Sequence, residues 1–482
     1  MVSIKEYLEK QGYCPAADDT VQYIDKWLSW YEGYVKDFHH YTVYNGIEFV
    51  GKDRFALGMA KTISEDWANL LLNEKVKIYT GTGFDTELES VFDYNNFRVK
   101  GNQLVELAFA LGTGAFVEYQ DASGEVVIDF IRAGMIYPLN WDNGYVNECA
   151  FGSLREKDGK KQYYIQIHRI ENNIYIIENH IVDAESGSDL ELDEGMLDEV
   201  NTGISIPLFQ IITPNIVNNI DLDSPMGISV FGNAIPQLKG CDIVYDSYIN
   251  EFDLGKKRIM VPLSMAKVEM TKGGAMQPVF DKNDTVFYAI PGQREGDGKP
   301  DTFDPQIRAA DHDLGLNKAL DMLSFKCGMG TGRYRFENGG LKTATEVISD
   351  KSDLYQSKKK HETVLKSAIT GMVKAVAQLK GQQIEEVSID FDDSIIEDSN
   401  ATIDKNIKLV GAELRSKLKA IMEINKCTEK EAQKELDRIK KESSVTGDEA
   451  DAFGMGDDAD PDEDGPDSDN SDDADRTGSD EE

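Results

Sequence analysis

The most regular apolar pattern of the chain lies between Ser224 and Pro262, where large apolar side chains recur every three to four residues. This spacing puts them on one face of an α-helix, and a face so apolar is predicted to be buried. Gly255 stands where helix C-termini favour glycine, and Pro262 prevents the helix from continuing. The pattern therefore predicts one long helix from Ser224 to Gly255. Its apolar positions are Phe231, Ile235, Leu238, Cys241, Tyr245, Tyr248 and Phe252.

A second face of the same segment carries acidic side chains at helical spacing, Asp242, Asp246 and Asp253. Like charges four residues apart disfavour a helix by about 0.2–0.5 kcal/mol per pair, so a single chain gains nothing by stacking them. Three cations follow the predicted C-terminus, where the helix dipole favours positive charge. They are Lys256, Lys257 and Arg258. The polar face is either merely solvated, as in an ordinary amphipathic helix, or has a function of its own.

The N-terminal half mixes helical and strand patterns. In residues 20–44, aromatic side chains at helical spacing, among them Trp27 and Trp30, predict a helix with its rings in the core. In residues 116–181, short alternating runs are separated by turns such as Ser-Gly and Asp-Gly, which predicts a meander of strands. Residues 1–226 are therefore expected to form one α+β domain.

Two helices are predicted to bracket a small module in the middle of the chain. Residues 259–304 contain repeated prolines and short strand-like runs, and a helix is predicted to follow at 305–327. The glycine-rich run GMGTGRYRFENGG at 328–340 either cradles a phosphate or forms a mobile loop. It lacks the Lys-Ser/Thr of a P-loop and does not follow a buried strand, so the pattern favours the mobile loop.

A long helix is predicted after this loop. Thr343 and Glu346 form a capping box, and apolar periodicity persists to about Gly381. At 1.5 Å per residue, such a helix would extend roughly 54 Å. Its basic run, residues 358–361, is expected to meet solvent or a neighbouring molecule.

The end of the chain is acidic. A strand at 385–391 and two helices within 401–442 are predicted first, the second helix opened by a capping box at Thr428. Residues 447–482 then hold 17 Asp and Glu against one Arg, with almost no aromatic side chains. A segment of this composition buries too little apolar surface to fold and is predicted to be disordered.

Charge restricts the classes of partner. The formal net charge of the 482 residues is −37, and subtracting the −16 of residues 447–482 leaves −21 for the rest. Such a chain opposes tight DNA binding, which depends on Lys and Arg replacing counterions at phosphates. The charge is compatible with a soluble acidic protein, or with a conduit through which DNA slides without sticking.

Several other classes are disfavoured. No apolar run approaches the roughly 18 residues that predict a membrane span, and no basic region followed by an apolar stretch marks the N-terminus. Five scattered cysteines without a CxxC pair argue against a disulfide framework and a zinc site, and favour synthesis in a reducing cytoplasm. No complete catalytic or nucleotide-binding motif is found, and the histidines lack metal-ligand spacing. We therefore expect no enzyme activity, no cofactor and no metal.

Several runs closely resemble portal proteins of tailed bacteriophages, in the family found in long-tailed phages of Gram-positive hosts. The runs are SPMGISVFGNAIPQLKGCDIVYDSYINEFDLGKKRIMVP from Ser224, MAKTISEDWANLLLNEKVKI from Met59, LVELAFALGTGAFVEY from Leu104, IITPNIVNN from Ile211 and GRYRFENGGLKTATEVISDKSDLYQSKKKHE from Gly332. The resemblance covers most of residues 1–442 in the order of the family. Only the acidic tail falls outside it.

The resemblance implies an α+β portal-type fold that assembles into a ring. Its parts are a wing (1–226, with a strand in 383–396 returning to it), two stem helices (227–258 and 305–327), a small α/β clip (259–304), a tunnel loop (328–342), a long wing and channel helix (343–382), a helical crown (397–446) and the acidic tail (447–482). In the family the stem helices line a channel and the loop projects into it.

The resemblance also implies a function and candidate residues. A portal is the head-tail connector at one capsid vertex, through which DNA is packaged and ejected. Its implied partners are other copies of the chain (twelve in all, by resemblance), DNA in transit, terminase, capsid or scaffold proteins, and head-completion adaptors, and its implied location is the virion. The loop candidates are Thr331, Arg333, Tyr334, Arg335 and Asn338. The stem candidates are Asp242, Asp246, Asp253, Lys256, Lys257 and Arg258.

One alternative from another class remains open at this point. A nucleic-acid-processing enzyme of the packaging machinery would also act beside DNA in an assembling head. It would hydrolyse ATP or DNA as an isolated chain, and a single acidic substitution would abolish the turnover. A passive conduit would do neither.

Overall fold

The structure is a computed structural model, and it divides the chain into two compact units, Met1–Ile396 and Glu397–Glu482. Each unit is treated separately below. The residues described are 2–16, 19–44, 46–121, 123–262, 268–270, 276–278, 287–290, 300–336, 344–391, 399–425 and 432–441.

The first unit combines helices and antiparallel strands, as the alternating and helical patterns predict. Its helices are α1 (Ile4–Lys10), α2 (Asp19–Tyr31), α3 (Lys36–His39), α4 (Met59–Leu71), α5 (Asp85–Tyr94), α6 (Phe97–Leu111), α7 (Ile235–Leu254), α8 (Ala309–Lys326) and α9 (Ala344–Leu379).

The strands of this unit form several small sheets and one larger one. They are β1 (His40–Tyr44), β2 (Phe49–Asp53), β3 (Lys77–Tyr79), β4 (Gly114–Gln120), β5 (Val126–Arg132), β6 (Ile136–Asp142), β7 (Tyr145–Lys157), β8 (Lys160–Glu171), β9 (Ile174–Asp183), β10 (Asp189–Leu190), β11 (Glu199–Asn201), β12 (Phe209–Ile212), β13 (Arg258–Pro262), β14 (Val268–Met270), β15 (Met276–Pro278), β16 (Phe287–Ile290), β17 (Asp301–Phe303) and β18 (Ser388–Asp390).

The predicted meander is confirmed. Strands β6 to β9 pair consecutively and antiparallel, with Cys149 opposite His168 in the centre, and β10 and β11 both pair with β9. A separate three-stranded sheet has the order β12-β4-β5. Strand β18 pairs with β3, with Ile389 opposite Ile78, so the chain returns after α9 to the N-terminal region.

The core of the unit lies where α2, α4, α6 and α9 meet the β12-β4-β5 sheet. Trp27 and Trp30, predicted to be core residues, are 1% and 3% exposed. Trp67 of α4 and Phe109 of α6 are fully buried beside them. Helix α6 ends at Gly112, whose φ of +89° is readily adopted only by glycine.

The helix predicted from Ser224 begins later, at Ile235, after a short 3₁₀ turn at Gly232–Ala234. The preceding segment is not helical because its backbone bonds to other elements: Val230 N donates to Phe109 O at 2.9 Å, and Gly227 N donates to Thr113 Oγ1 at 3.1 Å. The apolar side chains of this irregular segment are buried at intervals that resemble helical periodicity. Within α7 the predicted apolar face is buried only at the start, since Phe252 is 43% exposed.

The other long elements are close to prediction. Helix α8 spans most of 305–327, and α9 has the predicted length of 36 residues. Between α7 and α8 the described residues form strands: β16-β13-β17 make one sheet and β14-β15 a second. The residues described there include no helix, so the helical part of the expected α/β module is not seen among them.

The described part of the second unit is helical. It contains α10 (Ser399–Gly411), α11 (Lys417–Asn425) and a further helical segment at 432–441. The sequence predicted two helices within 401–442, and the turn around Glu413 that separates α10 from α11 was missed. The capping box at Thr428 and the tail 447–482 lie outside the described residues.

Replacing Gly227 with alanine is expected to destabilise the first unit. A Cβ built at Gly227 would lie 2.3 Å from Gly112 O, a backbone atom that cannot move without shifting the end of α6. Overpacking of this kind costs about 1–3 kcal/mol. Thermal unfolding of purified Gly227→Ala should therefore show a melting temperature several degrees below that of the parent chain.

Gly134→Ala is the matched control, because Gly134 is exposed and a Cβ there meets nothing within 4 Å. Its stability should stay within about 0.5 kcal/mol of the parent. Equal melting temperatures for Gly227→Ala and Gly134→Ala would show that the Gly112–Gly227 approach is not tight.

Candidate functional site

Helices α7 and α8 pack antiparallel, and an ion-pair cluster joins them at the end next to the β13–β17 module. Glu251 of α7 accepts hydrogen bonds from Arg308 Nε at 3.0 Å and Nη2 at 2.8 Å. His312 Nε2 lies 3.5 Å from the same carboxylate. The hydrogen bonds from Arg308 lower the pKa of Glu251 to about 2. The cluster therefore fixes the register of the two helices through an ionised carboxylate.

Two of the three acidic side chains predicted to share a polar face of α7 are buried. Asp242 and Asp246 are only 5% and 8% exposed. Asp242 Oδ1 accepts from Leu57 N at 2.8 Å, Asp246 Oδ1 accepts from Phe55 N at 3.1 Å, and His39 Nε2 lies 3.2 Å from Asp242 Oδ2. Burial raises the pKa of Asp242, and these donors oppose that effect. The two carboxylates thus anchor the chain just after β2, which corrects their assignment to a solvent-facing wall.

The remaining stem candidates are at the surface. Asp253 is exposed and its carboxylate accepts from Lys256 Nζ at 2.6 Å, which lowers the pKa of Asp253. Lys257 Nζ lies 3.5 Å from Asp304 Oδ2, and Arg258 is half-buried at the start of β13. Acidic and basic groups therefore alternate where the helix pair meets the strand module.

The glycine-rich segment after α8 is a compact turn among its described residues. Gly328, Gly330 and Gly332 all have φ between +73° and +79°, which explains why the pattern repeats glycine at every second position. Trp67 Nε1 donates to Cys327 O at 3.2 Å. A Cβ at Gly328 would lie 3.3 Å from Ser357 Oγ, so this turn is folded closely against α4 and α9.

Both loop arginines form ion pairs with the body of the unit. Arg333 donates to both oxygens of Asp66 at 3.1 Å, from Nε and Nη2. Arg335 donates to Asp321 through Nε at 2.8 Å and through Nη2, and Gly332 N donates to the same carboxylate at 3.0 Å. The hydrogen bonds from Arg335 keep the pKa of Asp321 low. The predicted mobile loop is therefore tethered by its own charged residues.

The other loop candidates differ in exposure. Thr331 is exposed, Tyr334 is half-buried and packs against the core, and Asn338 lies outside the described residues. Phe336, which was not among the candidates, is 70% exposed, and its backbone N–H donates to Asn317 Oδ1 at 3.2 Å.

The basic run of α9 does not face solvent as a whole. Lys358 is 1% exposed, and its Nζ lies 2.9 Å from Glu362 Oε1. His361 is 5% exposed, its ring centroid lies 4.6 Å from that of Trp67, and its Nδ1 accepts from Asn215 N at 3.0 Å. Burial lowers the pKa of His361 to about 3, so the ring is neutral and part of the core beneath the glycine-rich turn.

One surface feature was not recognised in the sequence. The β1–β2 hairpin is exposed along both strands, with Ile47 87% and Phe49 74% exposed. Its base is held by His40 Nδ1, 2.9 Å from Asp53 Oδ1, and by Arg54, whose guanidinium lies 4.4 Å from the Tyr41 ring centroid. The alternation of HYTVY and FVGKD around Gly46 was the available signal for a hairpin.

Two further observations concern chemistry and membranes. Among the described residues, no three His, Cys, Asp or Glu side chains lie close enough together to hold a metal ion. None of the helices described is both long and apolar enough to cross a membrane.

The described residues thus combine a helix pair, a small strand module and a glycine-rich loop held by ion pairs. A family model described as "Phage portal protein, SPP1 Gp6-like" matches residues 12–447. The chain belongs to this family of phage portal proteins, and its role is that of a portal, the connector between head and tail. The predicted membership is thereby confirmed, and the match gives no support to the alternative of a packaging enzyme.

Among solved structures, the chain is similar to one titled "Neck of native GTA particle computed with C12 symmetry", with 13% sequence identity and a TM-score of 0.40, over 76% of this chain and 88% of that chain. The comparison with curated proteins gives no match.

Buried His361 predicts a loss of stability in mild acid. Its pKa is about 3 in the folded chain and about 6.5 when unfolded, so between these values only the unfolded state binds the proton. Stability therefore falls as the pH drops below 6.5, by about 1.4 kcal/mol per pH unit from this group. His361→Gln should narrow the difference between the melting temperatures at pH 7 and pH 5.

Phe109→Leu is the control for this experiment, because it weakens the same cluster without removing a titrating group; the Phe109 and His361 ring centroids are 5.0 Å apart. This variant should lower the melting temperature at both pH values alike. A pH difference in His361→Gln as large as in the parent would contradict a neutral buried ring. His168, whose pKa is also lowered to about 3 by burial, accounts for part of the dependence that remains.

Proposed function

We propose that this portal protein assembles into a ring, of twelve copies by resemblance, around a channel for double-stranded DNA at one vertex of the phage capsid. The observation that carries the proposal is the family match over residues 12–447. We further propose that the β13–β17 module engages the terminase during packaging and head-completion proteins afterwards. Capsid or scaffold proteins would contact the outside of the ring in the virion.

The exposed surface of α8 supports assembly of identical copies. Leu316, Leu320 and Leu323 are buried within the subunit. A second apolar row on the same helix is exposed, with Leu314 at 68%, Met322 at 56% and Phe325 at 64%. A helix that is apolar on two sides needs cover on two sides, and its own subunit supplies only one. In a ring, the neighbouring subunit would cover the second, exposed apolar side of α8.

The β1–β2 hairpin supports the same assembly. Val43 and Val50 lie opposite each other on one face, and Tyr44 and Phe49 lie opposite each other on the other face. A two-stranded sheet is marginal by itself, and here neither face is covered by the subunit. We propose that this hairpin, fixed at its base to α7, inserts beside an adjacent subunit.

The charge distribution supports passage of DNA without capture. Arg333 and Arg335 are each neutralised by a carboxylate of their own subunit, so the loop is not a strong phosphate-binding site as it stands. We propose that Thr331, Arg333 and Arg335 lie along the channel and make brief contacts with the DNA backbone. Asp242 and Asp246 are not part of this proposed wall, because they are buried.

Negative-stain electron microscopy of the purified chain tests the ring directly. Ring-shaped particles with a central hole are expected. A chain that stays monomeric at every salt concentration would contradict the proposal. A separate assay for ATP or DNA hydrolysis addresses the enzyme alternative, and no turnover is expected.

The hairpin proposal predicts an assembly defect. Ile47→Ser with Phe49→Ser removes the two most exposed apolar side chains of the hairpin and leaves its base contacts in place. Size-exclusion chromatography with light scattering should show the oligomer fraction falling at least tenfold at a concentration where the parent is assembled. Thr42→Ser, an exposed polar change in the same hairpin, should assemble normally. Full assembly of the double variant would exclude the hairpin from the contact between subunits.

The loop proposal predicts a packaging defect without an assembly defect. Arg333→Ala with Arg335→Ala should leave rings intact and reduce packaged DNA per head at least tenfold in a complementation assay. Arg333→Lys with Arg335→Lys keeps the charges and should restore part of the packaging. Normal packaging by the alanine variant would refute the loop assignment, and loss of rings would show that the ion pairs to Asp66 and Asp321 act in folding instead.

A further inference from the structure

The second compact unit carries a surface that its own helices leave uncovered. Asn406 of α10 is fully buried and its Oδ1 accepts from Arg415 Nη1 at 2.8 Å, so this side of the helix faces the turn and α11. Beside Asn406 on the helix surface, Ile407 is 62% exposed, and Ile403, one turn earlier, is 36% exposed. Leu414, in the turn after α10, is 77% exposed. These three residues are called the α10 stripe here.

The helical part of the unit that bears the α10 stripe is close to neutral, in contrast to the acidic rest of the chain. Residues 397–446 contain eleven Lys and Arg and ten Asp and Glu, a net charge of +1. Residues 1–482 together carry −37. Four of the lysines near the stripe are exposed on α10 and α11. They are Lys405, Lys408, Lys417 and Lys419.

The C-terminal part of the same unit is strongly acidic. Residues 447–482 carry a net charge of −16, and their only large apolar side chains are Phe453 and Met455, two positions apart and surrounded by Asp and Glu. This segment lies outside the described residues. The two apolar side chains of this segment could pack on the α10 stripe, and its flanking carboxylates could pair with the lysines beside the stripe. The segment and the surface are therefore complementary in charge and in hydrophobic character.

The connection is long enough for the two to meet. Eleven residues lie between Lys441, the last described residue, and Phe453, and such a stretch spans up to ~40 Å. A compact unit of about 45 residues has a radius of gyration of roughly 9 Å, so the whole surface of the unit is within reach. A short tether also gives the segment a local concentration in the millimolar range, which populates even a weak contact.

We propose that the acidic C-terminal segment of the chain docks onto helices α10 and α11, with Phe453 and Met455 on the α10 stripe and the surrounding carboxylates beside the exposed Lys405, Lys408, Lys417 and Lys419. The contact is autoinhibitory: it occupies cations that would otherwise attract the phosphates of DNA. It does not depend on the ring or on the tunnel loop. Because it is partly electrostatic between exposed groups, it weakens with salt.

The test uses the full chain and a chain that ends at Thr446, with a fluorescently labelled peptide of residues 447–466 as the probe. Anisotropy titrations should show the peptide binding the shortened chain at least tenfold more tightly than the full chain, whose surface is already occupied. Raising the salt from 50 mM to 500 mM should weaken the binding. Ile407→Ser with Leu414→Ser in the shortened chain, or Phe453→Ser with Met455→Ser in the peptide, should abolish it.

Leu154→Ser, an exposed apolar change on β7 in the first unit, is the matched control and should leave peptide binding unchanged. Equal binding of the peptide to the full and shortened chains would overturn the proposal, as would binding insensitive to the α10 stripe. A labelled 20-base-pair DNA duplex tests DNA as the partner instead of the tail. If the shortened chain binds the duplex but not the peptide, this surface binds DNA and docking of the tail is overturned. Neither titration measures ring formation or packaging. A negative result for tail docking is therefore distinguishable from a failure of the proposed ring assembly.

Discussion

The contact on which most of the first unit depends is the burial of two carboxylates of α7 against backbone N–H groups of residues 55–57. Asp242 and Asp246 stand four residues apart, which on an isolated helix would be unfavourable. Here each accepts one backbone hydrogen bond, and Asp242 also contacts His39. An unpartnered buried donor or acceptor costs about 1–3 kcal/mol, so these pairs must form together. They join the base of the β1–β2 hairpin and the start of α4 to α7, and so place the surface hairpin and the α7–α8 pair in one rigid frame.

The same principle governs the loop after α8. An acidic chain that is proposed to guide DNA must keep its few channel arginines from gripping phosphates. In the described structure this is achieved by pairing: Asp66 lies opposite Arg333, and Asp321 lies opposite Arg335. When an arginine exchanges its carboxylate partner for a DNA phosphate, one negative partner replaces another and little charge interaction is gained. This favours brief contact with the DNA over tight binding. The proposed sliding and the observed ion pairs are therefore two consequences of one arrangement.

Sequence periodicity predicted those elements whose own helix or sheet contacts produce the periodicity. Helices α8 and α9, the β6–β9 meander and the burial of Trp27 and Trp30 are of this kind. The start of α7 was misplaced because Phe231 and its predecessors are buried as an irregular segment that bonds to α6, and burial at similar intervals resembles a helix. Asp242 and Lys358 were taken for surface residues because a linear pattern shows charge without its distant partner. The family resemblance identified the class of protein, but the ion partners of the loop arginines could come only from the fold.

The β1–β2 hairpin limits the kinds of assembly that the chain can form. It exposes apolar side chains on two opposite faces, so a single flat surface cannot cover it, whereas a cleft can. If every subunit offers a hairpin to its neighbour and receives one on a different surface, the contact is head-to-tail rather than self-complementary. Head-to-tail contacts close into a ring when the rotation between copies divides a full turn, and otherwise continue as a filament. Asp242 and Asp246 hold the hairpin base to α7 through Leu57 N, Phe55 N and His39, and a fixed base restricts that rotation more than a loose one would. In the proposed ring, the buried carboxylates of α7 would therefore influence closure through the orientation of the hairpin.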